Sequence, residues 1–161
     1  MLYNRVEAVA YAHEWAYRRN PRFYDFQNIG GDCTNFNSQC IYAGCGVMNY
    51  AKGTGWYYIS LNNRAPAWTG VQFLYNFLIK NKGAGPYGQE LPLENAMIAD
   101  VIQLSPDGYR FSHSLFVVEV GNPPAPENIL IATHTLDSDY RKLSTYTYAK
   151  NRLIHIIDAR K

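Results

Sequence analysis

The chain has 161 residues, of which 15 are Lys or Arg and 13 are Asp or Glu, so its formal net charge is +2. Hydrophobic residues make up 47% of the sequence and charged residues 17%, a composition that excludes intrinsic disorder. The weak charge, with no basic block, gives no nucleic-acid-binding footprint. At this length we expect a single domain covering residues 1–161, with roughly two-thirds of the unfolded surface buried.

Membrane-spanning and targeting segments are not expected. No apolar run approaches the ~20 residues that a membrane-spanning helix needs. The first residues of the chain mix charges into their apolar positions, which predicts a helix rather than a signal peptide. The composition and the N-terminal pattern therefore leave the cellular location open.

Three helices are predicted from apolar residues near helical spacing. The first ends at Asn20-Pro21, because the residue before a proline disfavours the helical conformation, and the second follows Gly30-Gly31. The Gly- and Pro-containing stretch 83–96 is predicted to be a loop. The predicted helices cover residues 3–19, 33–43 and 68–80.

From residue 98 onwards the pattern changes to β-branched and aromatic runs that are bounded by turn residues. Strands are predicted over residues 98–104, 113–120, 129–135 and 152–157. Helices followed by an antiparallel sheet are typical of an α+β fold.

Three cysteines are too few, and odd in number, for a disulfide scaffold. Cys40 and Cys45 are expected to be packing residues, whereas Cys33 follows Gly30-Gly31 and Asp32 at the predicted start of a helix, where Asp32 could act as the cap. A helix N-terminus carries about half a positive charge, which favours a thiolate and lowers the pKa of a cysteine. Position alone is equally compatible with a small buried apolar residue.

Two histidines lie on neighbouring predicted strands. A connection of about six residues, 121–126, predicts that Val120 pairs with Glu127 and that His113 therefore faces His134 directly, with Cβ atoms about 4.5–5.5 Å apart. With Cys33 they would form a chain of nucleophile, base and orienting residue. The alternative is a polar pair at the ends of two strands.

The remaining titratable candidates have lesser expected roles. Asp137, three residues after His134, competes with it as the residue that orients His113. His13 is expected to be structural, and His155 to be a core or edge histidine. No CxxC or HExxH spacing occurs, so we predict neither a metal site nor a cofactor.

Aromatic residues are unusually frequent, with 14 Tyr, 7 Phe and 3 Trp. The favoured interpretation is a small core with an aromatic-rich surface, since Tyr packs its ring and keeps its hydroxyl hydrated or paired. A groove that grips an extended polymer is the alternative.

Several motifs along nearly the whole chain resemble the family described as "Putative amidase domain", which is itself similar to papain-like and NlpC/P60 cysteine peptidases. The sequence departs from the pattern at Asn37, where an apolar residue is expected, and at Ala99, where a glycine is expected. The motifs are GGDCTNFNSQC (30–40), WTGVQFLYNFL (68–78), ADVIQL (99–104), HSLFVV (113–118), ILIATHTLDSD (129–139), LSTY (143–146) and RLIHI (152–156).

The resemblance implies a papain-like α+β fold in which N-terminal helices pack on an antiparallel sheet. It implies Cys33 as nucleophile, His113 as base and His134 as orienting residue, with Tyr24 the nearest match to a tyrosine near the oxyanion site. The implied substrate contains an amide bond, with peptidoglycan peptides as one class, and the implied location is the cell wall, or the cytoplasm otherwise.

Three function classes remain open. The first is a thiol-dependent amidase or peptidase, the second a catalytically silent module that binds a cell-wall glycan or a peptide, and the third an acyltransferase on the same scaffold. Transfer and hydrolysis share an acyl-enzyme, so the sequence does not separate them. A metal-dependent hydrolase is least favoured, because no carboxylate cluster accompanies the Cys and His residues.

Overall fold

A computed structural model describes residues 1–161 and has four α-helices and eight β-strands. The helices are α1 (Arg5–Trp15), α2 (Cys33–Cys45), α3 (Pro66–Thr69) and α4 (Val71–Lys80). The strands are β1 (Tyr58–Ser60), β2 (Asn63–Arg64), β3 (Gly85–Leu91), β4 (Val101–Ser105), β5 (His113–Glu119), β6 (Leu130–Thr133), β7 (Ser138–Lys142) and β8 (Lys150–Arg160).

Six of the strands form one sheet in the order β3-β8-β4-β5-β6-β7, and all its neighbouring strands are antiparallel. Strands β1 and β2 form a separate two-stranded sheet. The predicted α+β fold with an antiparallel sheet is confirmed. No helix has the length and apolar character needed to cross a membrane.

The sheet has an apolar core on each face. The larger core lies between the sheet and the helices, where Phe36 and Cys40 of α2 join Phe116 and Val118 of β5. The smaller core covers the opposite face and includes Leu115 and Val117 of β5. Because side chains alternate along a strand, β5 contributes to both cores and is buried over most of its length.

The helices differ from their predicted bounds, most clearly at the end of the first and within the third. Helix α1 ends at Trp15 rather than at residue 19. The predicted helix 68–80 is interrupted at Gly70, whose φ of −109° and ψ of 129° are extended. A Cβ atom at Gly70 would lie 2.8 Å from the ring of Phe73 and 3.0 Å from the carbonyl oxygen of Pro66, so the break requires glycine.

Both edge strands of the sheet were missed by the sequence prediction. Strand β3 lies in the predicted loop 83–96 and contains Pro86 and two glycines, residues that weaken a strand but are tolerated at an edge. Strand β7 is Ser-Asp-Tyr-Arg-Lys, with no buried residue. An edge strand pairs on one side only and needs no continuous apolar pattern, which explains why neither was recognised.

The predicted register between β5 and β6 is wrong by one residue. Phe116 pairs with Ala132 and Val117 with Ile131, and the ladder shifts between Val117 and Glu119. This irregularity places an additional residue within the ladder, and the length of the connecting loop gives no sign of it. Continued to the end of β6, the observed register places His134 opposite Ser114, and a slip of one residue moves a side chain to the other face of the sheet.

The backbone conformation at Ala99 explains why a glycine is expected at this position. Its φ is +66°, in the left-handed region that glycine adopts without steric cost. Thr135 and Leu136, in the turn between β6 and β7, also have positive φ values, of 66° and 59°. Two such residues are needed for a tight hairpin turn, and they end the predicted strand 129–135 two residues early.

Candidate active site

Cys33 is the first residue of α2, and Asp32 is the N-cap residue. The side chain of Asp32 makes no cap hydrogen bond, contrary to the expectation. It accepts hydrogen bonds from the backbone N–H of Phe26 at 2.7 Å and from the amide of Asn35 at 2.9 Å. The first N–H groups of a helix have no intrahelical partner, but the negative charge of the adjacent Asp32 raises the pKa of the Cys33 thiol.

The thiol of Cys33 is buried, with 7% of the residue exposed. Burial raises the pKa of this thiol, and the neighbouring backbone of Ser114 and hydroxyl of Thr34 only partly counteract it. The expected lowering of the pKa is therefore wrong for this structure. Removal from water disfavours the thiolate more than these groups favour it.

A polar chain fixes the first turn of α2 to β5. The hydroxyl of Thr34 lies 3.0 Å from that of Ser114, and Ser114 accepts from the amide of Gln103 at 3.3 Å. Gln103 in turn accepts from Arg152 at 2.7 and 2.9 Å. This chain keeps Cys33 at the start of β5, beside the residue that follows His113.

His113 begins β5. Its ring centroid lies 5.8 Å from that of Tyr146. Burial lowers the pKa of His113 to about 4, and the positive charge of Arg141 contributes in the same direction. The imidazole is consequently neutral near neutral pH, with a lone pair that can accept a proton.

His134 does not contact His113 through a hydrogen bond. Its Nδ1 atom lies 2.5 Å from Oδ2 of Asp32, and its Nε2 atom donates to the carbonyl oxygen of Trp15 at 2.8 Å. The ring also packs on Phe36, with centroids 4.2 Å apart. Both ring nitrogens are occupied, so the expected orienting hydrogen bond to His113 is absent, as the shifted register requires.

The competing orienting residue, Asp137, is also occupied elsewhere. Its two carboxylate oxygens accept from the guanidinium of Arg19 at 2.8 and 3.1 Å. Both side chains are partly exposed. The structure therefore brings neither His134 nor Asp137 to a ring nitrogen of His113.

Tyr24 lies in the segment before α2, with 40% of the residue exposed. Its backbone N–H donates to the hydroxyl of Tyr58, and its carbonyl oxygen accepts from Asn35. Its ring packs edge-on against Phe26, with centroids 5.1 Å apart. The side chain of Tyr24 makes no hydrogen bond to Cys33.

The other two histidines make structural contacts. His13 pairs with Asp139 at 2.8 Å, and His155 pairs with the buried carboxylate of Asp100 at 3.0 Å. Cys40 and Cys45 are buried, and burial raises the pKa of the Cys45 thiol to about 11. No three His, Cys, Asp or Glu side chains are grouped so that they could hold a metal ion.

Tyr146 is the site residue that sequence reasoning missed. It lies beside His113, and the guanidinium carbon of Arg141 sits 3.7 Å from the centroid of its ring. Its hydroxyl oxygen is buried and has no hydrogen-bond partner. The LSTY motif that ends at Tyr146 marked the segment, but nothing in it signalled an unpaired hydroxyl.

A cavity of about 540 Å³ does not contain Cys33, His113 or His134. Its lining includes Asn49 after α2, Phe73 on α4 and Asn81 after α4. Cys33 lies at the opposite, N-terminal end of α2.

Comparison with known proteins shows the family. The model of the family described as "Putative amidase domain" matches residues 2–157. "Uncharacterized protein YhbB" of Bacillus subtilis (strain 168) is 31% identical over 168 residues, which cover 97% of this chain and 51% of that protein. The chain thus spans about half the length of this curated relative. No solved structure matches this chain. The chain belongs to the "Putative amidase domain" family.

Proposed function

We propose that this chain hydrolyses amide bonds through a thiol mechanism, with Cys33 as nucleophile and His113 as general base. The observation that carries the proposal is the position of Cys33 at the first turn of α2, against the backbone of the residue that follows His113. The family match supports an amide substrate.

In the proposed reaction, His113 accepts the thiol proton while the sulfur of Cys33 attacks the carbonyl carbon of the substrate. A C–S bond forms, the C–N bond breaks, and His113 returns the proton to the departing amine. Water then attacks the thioester with His113 again as base, which releases the acid and regenerates the thiol.

The resting Cys33 and His113 are both neutral in this mechanism. Burial raises the pKa of the Cys33 thiol and lowers the pKa of His113 to about 4. A preformed thiolate–imidazolium pair is disfavoured by both shifts. Proton transfer is therefore coupled to the attack on the substrate, where the developing negative charge is transferred to the carbonyl oxygen.

His134 is proposed as a positioning residue that acts through Asp32. It joins the carbonyl of Trp15, at the end of α1, to the carboxylate of Asp32, which directly precedes Cys33. This contact replaces the orienting hydrogen bond to His113 and fixes where the nucleophile begins its helix.

A finer assignment rests on the resemblance to papain-like and NlpC/P60 cysteine peptidases. The motifs GGDCTNF and ILIATHT support a papain-like arrangement, and with it peptides of peptidoglycan as the substrate class and the cell wall as the setting. Incubation with purified muropeptides, followed by mass spectrometry for a new free amine and acid, tests this class.

The test of the mechanism is single-turnover acylation by p-nitrophenyl acetate, with the modified residue located by peptide mass spectrometry. We expect an acyl group on Cys33, none in Cys33→Ser, and an unchanged rate in Cys45→Ser. The reaction should persist in EDTA and be lost after alkylation of Cys33. Acylation of Cys45 in place of Cys33 would contradict the assignment.

The burial of Cys33 favours a second candidate, a silent module that binds a glycan or peptide. In that case Cys33 is not acylated, while binding to insoluble peptidoglycan is retained by Cys33→Ser. An acyltransferase forms the same acyl-Cys33 but passes the acyl group to an added amine in preference to water.

A further inference from the structure

A groove runs along α3 and the exposed side of α4. It consists of the cavity of about 540 Å³ and an adjoining hollow of about 350 Å³, which share Pro66 and Phe73 in their linings. We call the two together the Phe73 groove. The hollow includes Gly70, and the carbonyl of the next residue, Val71, accepts from Gln103 at 2.9 Å. The groove therefore approaches the polar chain that fixes the start of α2, without containing a residue of that chain.

The walls of the cavity are fixed by contacts within the protein. Phe77 lies beneath it and stacks on Trp56, with ring centroids 6.1 Å apart. The side-chain amides of Asn49 and Asn81 both donate to the carbonyl oxygen of Ala84, at 3.0 and 2.9 Å. The volume is within the range of ligand cavities, and a surface that is already formed loses little entropy when it binds.

The lining of the Phe73 groove provides positive charge and hydrogen-bond donors. Lys80 and Lys82 line the cavity and Arg64 lines the hollow, whereas no Asp or Glu lines either part. None of these three cations forms an ion pair within the protein. The Oδ1 atom of Asn76 accepts from Gln72 at 2.9 Å, and its Nδ2 atom donates to no protein group. A concave surface with charge of one sign attracts ligands of the opposite sign, so the charge favours an anion.

The centre of the groove is apolar and exposed. Phe73 lies where the two parts join, with 58% of the residue exposed, and Pro66 beside it is also exposed. A flat ring packs against the C–H face of a sugar, which a small inorganic anion lacks. The cavity contains no residue of a β-strand, so it offers no sheet edge with which an extended peptide could pair. These features favour a glycan over a peptide, and the extension on both sides of Phe73 fits more than one sugar.

We propose that the Phe73 groove is a second binding site of this protein, and that it takes an acidic polysaccharide. Carboxylates of the sugars pair with Lys80 and Lys82, and a sugar ring packs on Phe73. The site uses neither Cys33 nor His113, so binding there does not require the proposed reaction.

Titration calorimetry with oligogalacturonate, a chain of carboxylated sugars, tests the proposal at pH 7 and low salt. Lys80→Gln/Lys82→Gln should weaken binding about tenfold, because two exposed ion pairs are lost. Phe73→Ala should weaken it about fivefold, because the stacking surface is lost. All three side chains are exposed, so we expect the variants to fold, and their urea unfolding curves check this.

Lys142→Gln/Lys150→Gln is the matched control, since it makes the same change of charge at exposed residues outside the groove, and it should bind like the wild type. Neutral chitooligosaccharide and poly-L-glutamate should both bind more weakly than oligogalacturonate. The proposal is overturned if the wild type does not bind oligogalacturonate, or if the control variant loses as much affinity as Lys80→Gln/Lys82→Gln. Equal binding of poly-L-glutamate would also overturn it, because charge alone would then account for the affinity.

Cys33→Ser separates this site from the thiol site. It should bind oligogalacturonate with the wild-type affinity although it cannot be acylated. Loss of binding in Cys33→Ser would place the polysaccharide at the thiol and contradict the proposal. A Cys33 that is never acylated, in a protein that still binds through Lys80, Lys82 and Phe73, would refute only the proposed reaction.

Discussion

Two opposing effects act on the sulfur of Cys33. The N-terminus of α2 favours negative charge there, while burial and the charge of Asp32 disfavour it and leave the pKa of the thiol raised. Burial has the opposite consequence for His113, whose pKa it lowers. Desolvation thus keeps both groups neutral until a substrate supplies an atom that can carry the charge.

The depressed pKa of His113 makes stability depend on pH. Because the folded value is about 4 and the unfolded value about 6.5, the unfolded chain binds a proton between these pH values that the native chain does not. The free energy of unfolding should fall as the pH drops from 6.5 to 4, by up to roughly 3 kcal/mol. Urea denaturation at pH 7 and pH 4.5 measures this.

His113→Gln is the control for that measurement, since glutamine does not titrate. Protonation of carboxylates in acid lowers the free energy of unfolding of both proteins. Only the difference between their two pH dependences is therefore attributed to His113. Arg141 and Tyr146 face this histidine and are unchanged in the variant. Parallel pH dependences would show that His113 is exposed and that its pKa is not depressed.

The contrast between His134 and Asp137 gives a second prediction. His134→Ala removes the partner of Oδ2 in the fully buried carboxylate of Asp32, which keeps only its hydrogen bonds from Phe26 and Asn35 and the longer contact with Arg19, and should lower the free energy of unfolding by about 3 kcal/mol. Asp137→Ala removes a partly exposed pair with Arg19 and should cost less than about 1 kcal/mol. Urea unfolding of both variants measures the difference.

Acylation rates of the same two variants decide the functional question. Asp137→Ala should acylate Cys33 at the wild-type rate, and His134→Ala more slowly because the start of α2 shifts. His113→Ala should lose the most, since a general base contributes roughly 10²–10⁴-fold. If Asp137→Ala abolishes acylation while His134→Ala retains it, Asp137 orients His113 after all.

At the scale of elements, the start of α1 lies close to the end of α2 at Gly44. The backbone N–H of Asn4 donates to the carbonyl of Gly44 at 2.8 Å. A Cβ atom there would lie 2.7 Å from the ring of Tyr3 and 3.0 Å from Cβ of Ala8. This contact holds α1 against the helix that carries Cys33.

Gly44→Ala should therefore separate the two helices. We expect the free energy of unfolding to fall by about 2–3 kcal/mol, the cost of overpacking a tight contact. Gly46→Ala is the control, because Gly46 has a φ of +68° but open space around its Cβ position, and left-handed strain alone costs about 1 kcal/mol. Equal or reversed losses in chemical denaturation would show that the helices adjust at little cost.

For the whole molecule, Asp100 joins the N-terminus to the centre of the sheet. Its fully buried carboxylate pairs with Arg5 at 2.8 Å and with His155 at 3.0 Å, and it accepts from the backbone N–H of Ile156 at 3.1 Å. The start of α1, the beginning of β4 and strand β8 therefore meet at one charged group.

Asp100→Ala should destabilise the entire domain, by about 3–5 kcal/mol, because it removes the buried carboxylate that Arg5, His155 and the N–H of Ile156 share. Asp158→Ala, which removes hydrogen bonds to the N–H groups of Leu2 and Tyr3 at the surface, should cost about 1 kcal/mol. Thermal unfolding of both variants compares them. A smaller loss for Asp100 than for Asp158 would contradict this account.

Features that depend on nearby residues could be predicted from the sequence. The start of α2 at Cys33 followed from two glycines before an apolar helical pattern, and the inner strands followed from continuous β-branched runs. The family followed from motifs of a few residues each. Edge strands β3 and β7 were not predicted, because a strand that is paired on one side only needs no continuous apolar pattern.

Which polar groups contact each other depends on the packing of distant segments. Asp32 and His134 are 102 residues apart, and their contact depends on a ladder irregularity between Val117 and Glu119 that no local pattern encodes. The unpaired hydroxyl of Tyr146 and the raised pKa of Cys33 likewise depend on burial by distant segments. Desolvation and strand register are properties of the packed chain. The types of the candidate site residues could therefore be recognised in the sequence, but their hydrogen-bond partners and charge states could not.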